Sequence, residues 1–364
     1  MPLLFFASPI GLGHATRDIA IADKLQRRSS SNNNNYTSND GDILFVSGIG
    51  ASRLIEKKGY RVIDAYRPEK FAVQDGQLRH SFRWLMSYYS YYKKCKEAAK
   101  GALAEHGNNS SGCSPVVVSD EDFASIAVAE ESGKKRVLIT DITETHFTKG
   151  AASLVEKKMN GAMKDMMKKC DRVIIPDDGD DDGNVSYVGP IVREVTADRD
   201  TLRRRFGFSR KTIVVSVGGT DAGRYLIEKS IRAYRSLRDR LDADLVIVPG
   251  PSLQVAESPD YRNLGFVDNL HELIYAADLV VSLAGRSTMD ESIVYGTPGI
   301  FIPIKGHFEQ EQGAARLGYK HEDVLRLESL IEEKLGRRSR GSGNDNTIGT
   351  GGAEKAAKII SSLL

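Results

Sequence analysis

Cysteine is scarce: the 364 residues hold three, Cys95, Cys113 and Cys170, with no CxxC pair among them. That argues against a disulfide scaffold or a zinc cage and points to a reducing compartment. Neither sign of charge prevails. Fifty-one Lys+Arg against 49 Asp+Glu leave +2, too balanced for a protein that holds nucleic acid by neutralising phosphates in bulk. There is no long uncharged run either. The opening MPLLFFASPIGLG spans 13 residues without basic residues before it; it is too short to cross a bilayer and reads as a first buried strand. No Walker A sequence occurs in the chain. What remains, 40% hydrophobic and 27% charged, is ordinary globular composition. The chain reads as a cytosolic α/β protein of two or three domains.

Short apolar runs alternate with amphipathic stretches almost throughout, the pattern of a parallel sheet covered by helices on both faces. In the first half the runs are LLFFAS (3–8), DILFVS (42–47), RVIDA (61–65), PVVVS (115–119), KRVLIT (135–140) and DRVIIP (171–176). In the second they are TIVVSV (212–217), DLVIV (244–248), RNLGFV (262–267), DLVVSL (278–283) and GIFIPI (299–304). Few charges interrupt them, as expected of strands buried on both faces. Three polar stretches stand apart. SSSNNNNYTSNDGD (29–42) is too poor in apolar groups to pack and is expected to be a disordered insertion. DDGDDDG (177–183) reads as a solvated acidic loop, not a metal cage. RRSRGSGNDNTIGTGG (337–352) reads as a slack tether to a final helix, AEKAAKIISSLL, that crosses back onto another part of the protein. With a boundary near GPIVREV (189–195), the expected domains are 1–190, 191–340 and a linker with terminal helix, 341–364.

Chemistry is expected where strands deliver the chain to glycine-rich turns. IGLGHATRD follows the first strand and opens a helix. Gly11 and Gly13 allow a tight turn and close approach to a ligand, and the helix start attracts anions. As a dinucleotide fingerprint it fails: the third glycine position is Thr16, and the second strand ends SGIG without an acid for a ribose. His14 places an imidazole at the mouth of this turn, where a neutral base would face a ligand, unless it merely sits in the first helical turn. SVGGTDAG (216–223) repeats the device in the second half with Gly218, Gly219 and Thr220, again without a ribose-binding acid after the next strand. A nicotinamide enzyme is therefore disfavoured.

The richest segment is AADLVVSLAGRSTMDESIVYGTPGIFIPIKGHFEQEQGAARL (276–317). A strand delivers the chain to Gly285, and a helix begins near Ser287 and Thr288, its dipole suited to a diphosphate. Glu291 lies about one turn in. Thr288-x-x-Glu291 and Ser287-x-x-Asp290 also spell capping boxes, in which the acid would only satisfy a backbone amide.

This segment resembles the donor-binding signature of the GT-B glycosyltransferases, in particular the family 28 group that adds N-acetylglucosamine to the peptidoglycan lipid intermediate. The pattern Gly-x-x-(Ser/Thr)-x-x-Glu, Gly-x-Pro, a strand ending in Pro and an acid followed by Gln is met by Gly285, Thr288, Glu291, Gly296, Pro298, Pro303, Glu309 and Gln310. Gly313 stands where the family has Asn. GLGH resembles the family's first glycine loop and sets His14 on the family's histidine; SVGGTDAG and VGPIVREV resemble its second loop and interdomain segment. The resemblance implies two Rossmann-like doubly wound domains facing each other across a cleft, acceptor in the first and nucleotide sugar in the second. It implies that Glu291 accepts the ribose hydroxyls and that backbone at Phe266 and Val267 holds the uracil. Gly218, Gly219, Thr220, Gly285, Ser287 and Thr288 would seat the diphosphate, with Arg286 adding charge, and Glu309 and Gln310 would bond the sugar. His14 would deprotonate the acceptor or at least orient it; Asp120 or Asp141, at the ends of their strands, would orient His14 unless each is a cap or a solvated acid, and His146 has the same status. The expected activity is inverting, metal-independent transfer from a UDP-sugar, N-acetylglucosamine the first candidate, with no cofactor. The acceptor is open, a lipid-linked one among the options. Rival readings are a sugar-nucleotide hydrolase or epimerase, separable by incubation with UDP-sugars alone, and a non-catalytic binding module.

RHSFRWLMSYYSYYKKCKEAAK (79–100) mixes aromatic and basic residues. Such a helix suits an anionic membrane surface, giving a peripheral membrane contact. The reading preferred here is plainer: its aromatics pack against the first sheet.

Overall fold

A computed structural model describes residues 3–32, 43–69, 72–79, 81–106, 114–148, 150, 153–219, 221–336 and 351–364, with the side chains of 29–32 and 81–85 also outside the description. Thr220, Cys113, most of the polar stretch 29–42 and most of 337–352 therefore lie outside it. The chain divides into two compact units, one formed by 1–70, 80–193 and 350–364, the other by 71–79 and 194–349.

In the first unit the strands are β1 (Leu3–Ala7), β2 (Ile43–Ser47), β3 (Arg61–Asp64), β6 (Val116–Asp120), β7 (Arg136–Ile139), β8 (Arg172–Ile175) and β9 (Val185–Tyr187); β4 (Ala72–Gln74) and β5 (Gln77–Arg79) form a hairpin belonging to the other unit. The order is β3-β2-β1-β6-β7-β8-β9, parallel at every pairing. β1, β2 and β6 are buried at every position, which is why their sequences run apolar rather than alternating. Helix α1 (Gly13–Asn32) follows β1 and runs through the first four residues of the polar stretch at 29–42, so that part is helical. The remainder of the insertion lies outside the described residues. Helix α2 (Ile49–Lys57) joins β2 to β3, and α4 (Phe123–Glu131) joins β6 to β7.

The aromatic segment forms α3 (Ser81–His106). Tyr91 meets the buried Tyr66 edge-on at 6.3 Å, and Tyr91 and Tyr92 pack on the core under the sheet. That agrees with the plainer reading. Met86 and Tyr89 remain exposed, with the Lys93 ammonium over the Tyr89 ring; the side chains of Phe82 and Trp84 lie outside the description. Among the described residues no helix is long and apolar enough to cross a membrane.

The second unit holds β10 (Lys211–Ser216), β11 (Ala243–Val248), β12 (Arg262–Asn263), β13 (Leu279–Leu283) and β14 (Gly299–Ile302), ordered β12-β11-β10-β13-β14 and again parallel. Both sheets thus have the doubly wound, Rossmann-like order, two wings built outward from a central pair. RNLGFV departs from expectation. Only Arg262 and Asn263 pair, because Gly265 turns into the left-handed region at φ +60° and takes the chain off the sheet. The hairpin is not foreshadowed by the strand pattern. Leu78 N–H donates to Lys305 O and Lys305 N–H to Gly76 O, both at 2.8 Å, so it stitches onto the loop after β14.

The last helix, α12 (Gly351–Ser361), belongs to the first unit and packs on α1. Ala353, Ala356, Ala357 and Ile360 are buried, Arg28 pairs with Glu354, and Lys135 Nζ donates to Leu363 O at 2.8 Å. Its start lies against the backbone at residues 189–190: a Cβ on Gly352 would stand 2.2 Å from Pro190 O. We therefore expect Gly352→Ala to cost about 1–3 kcal/mol in urea unfolding, the usual size of a forced core overlap. Gly351→Ala, where an added Cβ meets no atom within 4 Å, should be neutral or mildly stabilising.

Candidate active site

In an open doubly wound sheet the chain leaves the two central strands in opposite directions, opening a crevice beyond their carboxyl ends. In the first unit those strands are β1 and β6, and their register aligns Ala7 with Asp120. The turn after β1 and the end of β6 are therefore held side by side. Gly11 sits at φ +84° with no atom within 4 Å of an added Cβ, so this turn is open as well as tight. Gly13 begins α1, which has no acidic residue in its first turn to offset its dipole.

His14 lies at this junction. Its Nδ1 is 3.1 Å from Asp120 Oδ1, and its Nε2 is 3.6 Å from Glu121 Oε2. Asp120 is fully buried, His14 18% exposed. Arg17, one turn further along α1, binds Asp120 with both prongs, Nε to Oδ2 at 2.8 Å and Nη2 to Oδ1. Its Nη1 reaches Asp141 Oδ1 at 3.3 Å. Burial is the largest influence on Asp120 and would raise its carboxyl, but the Arg17 and His14 contacts override it and hold the group well below the usual carboxylate range. An ionised Asp120 can only accept, so a hydrogen bond between the two needs the proton on His14 Nδ1.

Of the two acids offered as partners for His14, Asp120 makes the contact and Asp141 binds Arg17 instead. His146 is exposed and lies 3.7 Å from Glu144. Arg17 and Glu121 were missed by the sequence reading, although spacing carried a signal for both. Arg17 is three residues after His14, hence on the same helix face, and Glu121 directly follows Asp120. A further surprise is Asp18, wholly buried with both carboxylate oxygens lacking a hydrogen-bond partner. Burial first, then the neighbouring Asp120 charge, push its carboxyl well above the ordinary range, with Arg17 offsetting only part.

The second unit repeats the geometry between β10 and β13. Gly218 takes φ +76° with open space beside it. The loop is fixed from behind: a Cβ on Gly250 would meet Gly218 O at 2.1 Å, and Ser252 Oγ donates to Gly219 O at 2.8 Å. After β13, helix α9 (Arg286–Val294) starts from Gly285 as N-cap, with no side-chain cap and no acid in its first turn. Neither capping box forms, since each requires the helix to begin later, at Ser287 or Thr288. A helix start of this kind suits an anion. Ser287 and Thr288 occupy that first turn, half-buried; Glu291 lies in the second and is 3% exposed. Arg286 Nε donates to both Asp290 oxygens at 3.0 and 2.8 Å, so it braces its own helix.

Phe266 and Val267 lie on the loop beyond β12, half-buried. Glu309 and Gln310 open α10 (Phe308–Arg316), where Gln310 Oε1 already accepts from Ile304 N–H at 3.0 Å. Burial pushes the neighbouring His307 imidazole down to about 4, so that ring is neutral. Among the described residues no cluster of three or more His, Cys, Asp or Glu could hold a metal ion.

Residues 212–336 match the model of the glycosyltransferase family 28 C-terminal domain, which covers the second sheet and both of its glycine turns. The chain is a GT-B glycosyltransferase. It is 28% identical over 293 residues to an uncharacterized glycosyltransferase of Methanopyrus kandleri, covering 74% of this chain and 79% of that one. A relative from Methanosarcina acetivorans, also named an uncharacterized glycosyltransferase, is 25% identical over 86% of this chain and 83% of its own. A shorter match, 29% identical over 35% of this chain and 38% of the relative, is to the Pasteurella multocida UDP-N-acetylglucosamine--N-acetylmuramyl-(pentapeptide) pyrophosphoryl-undecaprenol N-acetylglucosamine transferase. The glycotransferase of kitacinnamycin shares the fold over 100% of both chains, with a TM-score of 0.63 at 14% identity. A Streptomyces sp. SF2575 glycosyltransferase complexed with thymidine diphosphate covers 100% of this chain and 96% of its own, with a TM-score of 0.58 at 12% identity.

The buried Asp18 of this glycosyltransferase gives a test of the electrostatics. A carboxyl raised on folding contributes stability that is complete below its unfolded value and is lost as pH rises towards the folded one. Asn has nearly the same shape and no charge to lose. Melting temperatures measured from about pH 4 to about pH 8 should therefore fall more steeply for wild type than for Asp18→Asn. Parallel curves would show Asp18 ionised in the fold.

Proposed function

We propose that this glycosyltransferase moves a sugar with inversion from a UDP-sugar, UDP-N-acetylglucosamine being the first donor to test, to an acceptor hydroxyl, without needing a divalent metal at the diphosphate. The observation that carries the reading is the His14–Asp120 contact at the carboxyl edge of β1 and β6, in a chain whose second unit matches a sugar-transferase domain. The acceptor O–H bond breaks and its proton passes to His14 Nε2. The oxygen forms a bond to the anomeric carbon from the face opposite the diphosphate, whose C–O bond breaks with the electron pair leaving on phosphate oxygen. Asp120 stabilises the imidazolium so formed, and Arg17 keeps Asp120 ionised.

On the donor side the departing charge would be met by the amides of α9 and of the Gly218–Gly219 turn, with Thr220, Ser287 and Thr288 as neighbouring hydroxyls. Fixed dipoles of this kind stabilise developing charge without reorganising, which is the ground for assigning no metal to the step. Glu291 is assigned the two ribose hydroxyls, the backbone at Phe266 and Val267 the uracil edge, and Glu309 with the Gln310 amide the sugar hydroxyls. Arg286 acts by bracing α9. For the acceptor we favour a lipid-linked alcohol met at a membrane surface. The exposed Met86 and Tyr89 beside Lys93 support a peripheral contact of that kind.

His14→Ala should lower turnover by about a hundredfold or more, the ordinary worth of a positioned base, while leaving UDP affinity close to wild type in calorimetry. Glu291→Ala should weaken UDP binding about tenfold, the effect of hydrogen bonds to a charged group. Unchanged transfer in both variants removes the site. A thermal-shift panel of nucleotides and nucleotide sugars identifies the donor first, since a ligand specific for the folded state raises apparent stability.

A further inference from the structure

Ile49 is held in a backbone conformation that a β-branched side chain avoids. Its φ is +56°, on the left-handed side, and it opens α2 with 50% of its surface in solvent. Such strain persists only where surrounding contacts over-determine it, and it collects at functional sites. Here the contacts are specific. Ser47 O accepts from the amides of Ala65 and Tyr66, at 2.8 and 2.9 Å, which draws the chain after β3 against the end of β2. Gly48 is pressed onto it: a Cβ there would stand 1.9 Å from Tyr66 O. Ile49 N–H then donates to Asp64 Oδ1 at 2.9 Å, and Asp64 is itself held by Ser52 Oγ at 2.9 Å and Arg67 Nη2 at 2.6 Å.

The same turn would form more easily with glycine, which takes φ of either sign, or with asparagine. Isoleucine adds strain and leaves apolar surface in water, and neither helps the fold. Its place in the sheet indicates what the side chain serves. β2 pairs with β1, and Ser47 Oγ donates to Ala7 O at 2.9 Å across the last residues of the two strands. The strand that ends at Ile49 therefore lies one spacing, about 5 Å, from the strand that leads to His14, and two spacings from the one that ends at Asp120. The turns after β1 and β2 carry Ile10, Leu12 and Ile49, with no aromatic ring for a flat partner to stack on. Ile10 and Leu12 are half-buried, so Ile49 is the aliphatic side chain that reaches furthest into solvent there.

We propose that Ile49 is a specificity-determining residue for the acceptor: it packs against an alkyl chain carried within about 10 Å, two strand spacings, of the attacked hydroxyl, and so selects long aliphatic alcohols over short or ring-bearing ones. The inference deepens the lipid-linked reading above and rests on the acceptor hydroxyl meeting His14. The strain at φ +56° is then the cost of holding an apolar side chain out at the sheet edge, where a chain leaving that hydroxyl can cover it.

The test uses the full-length enzyme, the donor found by the thermal-shift panel, and four acceptors: 1-propanol, 1-hexanol, 1-octanol and 2-phenylethanol, with the glycoside formed as the readout. In wild type kcat/KM should rise about twofold for each added methylene, half the worth of complete burial because Ile49 supplies one wall, and 1-octanol should exceed 2-phenylethanol. Ile49→Gly and Ile49→Asn relieve the left-handed backbone while removing the apolar side chain. Both should melt no lower than wild type and still flatten the series, mainly by raising KM for the longer alcohols, which separates recognition from folding. Ile49→Leu should keep the rise. A flat series in wild type, no glycoside from any alcohol, a preference for the ring, a rise that survives in both the Gly and Asn variants, or a lower melting temperature in both overturns the proposal. If His14→Ala abolishes transfer while the Ile49 variants keep the rise, Ile49 is excluded and the base stands. If His14→Ala transfers like wild type while the Ile49 variants flatten the series, the base assignment fails and Ile49 stands.

Discussion

A carboxylate with no access to water is costly unless its charge is answered nearby, and the switch point of the first sheet is arranged around one. Asp120 stands at the last position of β6, opposite Ala7, where the parallel register leaves it no solvent. The answer comes from a single turn of α1: Arg17 grips both oxygens and His14 takes one of them. Because the two partners share a helix, orienting the imidazole and neutralising the acid are one structural event. Loss of either Asp120 or Arg17 would strand the other as a buried charge, so their worth in packing and in chemistry cannot be separated by truncation alone.

The two units place different groups on the same strand order. The first gathers titratable side chains at its switch point, each held by its neighbours. The second presents mainly backbone at its own: an open glycine turn and a helix start without a side-chain cap, with Gly250 and Ser252 against one and the Arg286–Asp290 pair along the other. In the proposed reaction the first arrangement suits proton removal at one atom, and the second suits a diphosphate whose charge is spread over several oxygens.

Much of this was legible from residue order. Apolar runs with few charges foretold buried parallel strands, and ten of the eleven runs correspond to strands within a residue or two. The exception, RNLGFV, contains a glycine whose left-handed turn ends the pairing early. The hairpin at 72–79 escaped because three-residue strands have no period to read, and its partner, Lys305, lies far along the chain. The capping-box reading of Ser287 and Thr288 was reasonable locally; the helix starts earlier, at Gly285, because β13 delivers the chain there.

By itself the sequence determined which residue types stand after each strand: glycines that permit sharp turns, a histidine opening a helix, acids at two strand ends. Those are local facts, set by steric freedom and by the length of a strand. It could not decide between Asp120 and Asp141 as the partner of His14, nor reveal Asp18 as a buried acid, nor bring Glu121 beside Nε2. Those depend on which strands become neighbours and in what register, because a shift of one residue turns a side chain to the opposite face of the sheet. Only the packed parallel sheet, with α1 laid across its switch point, brings these groups together.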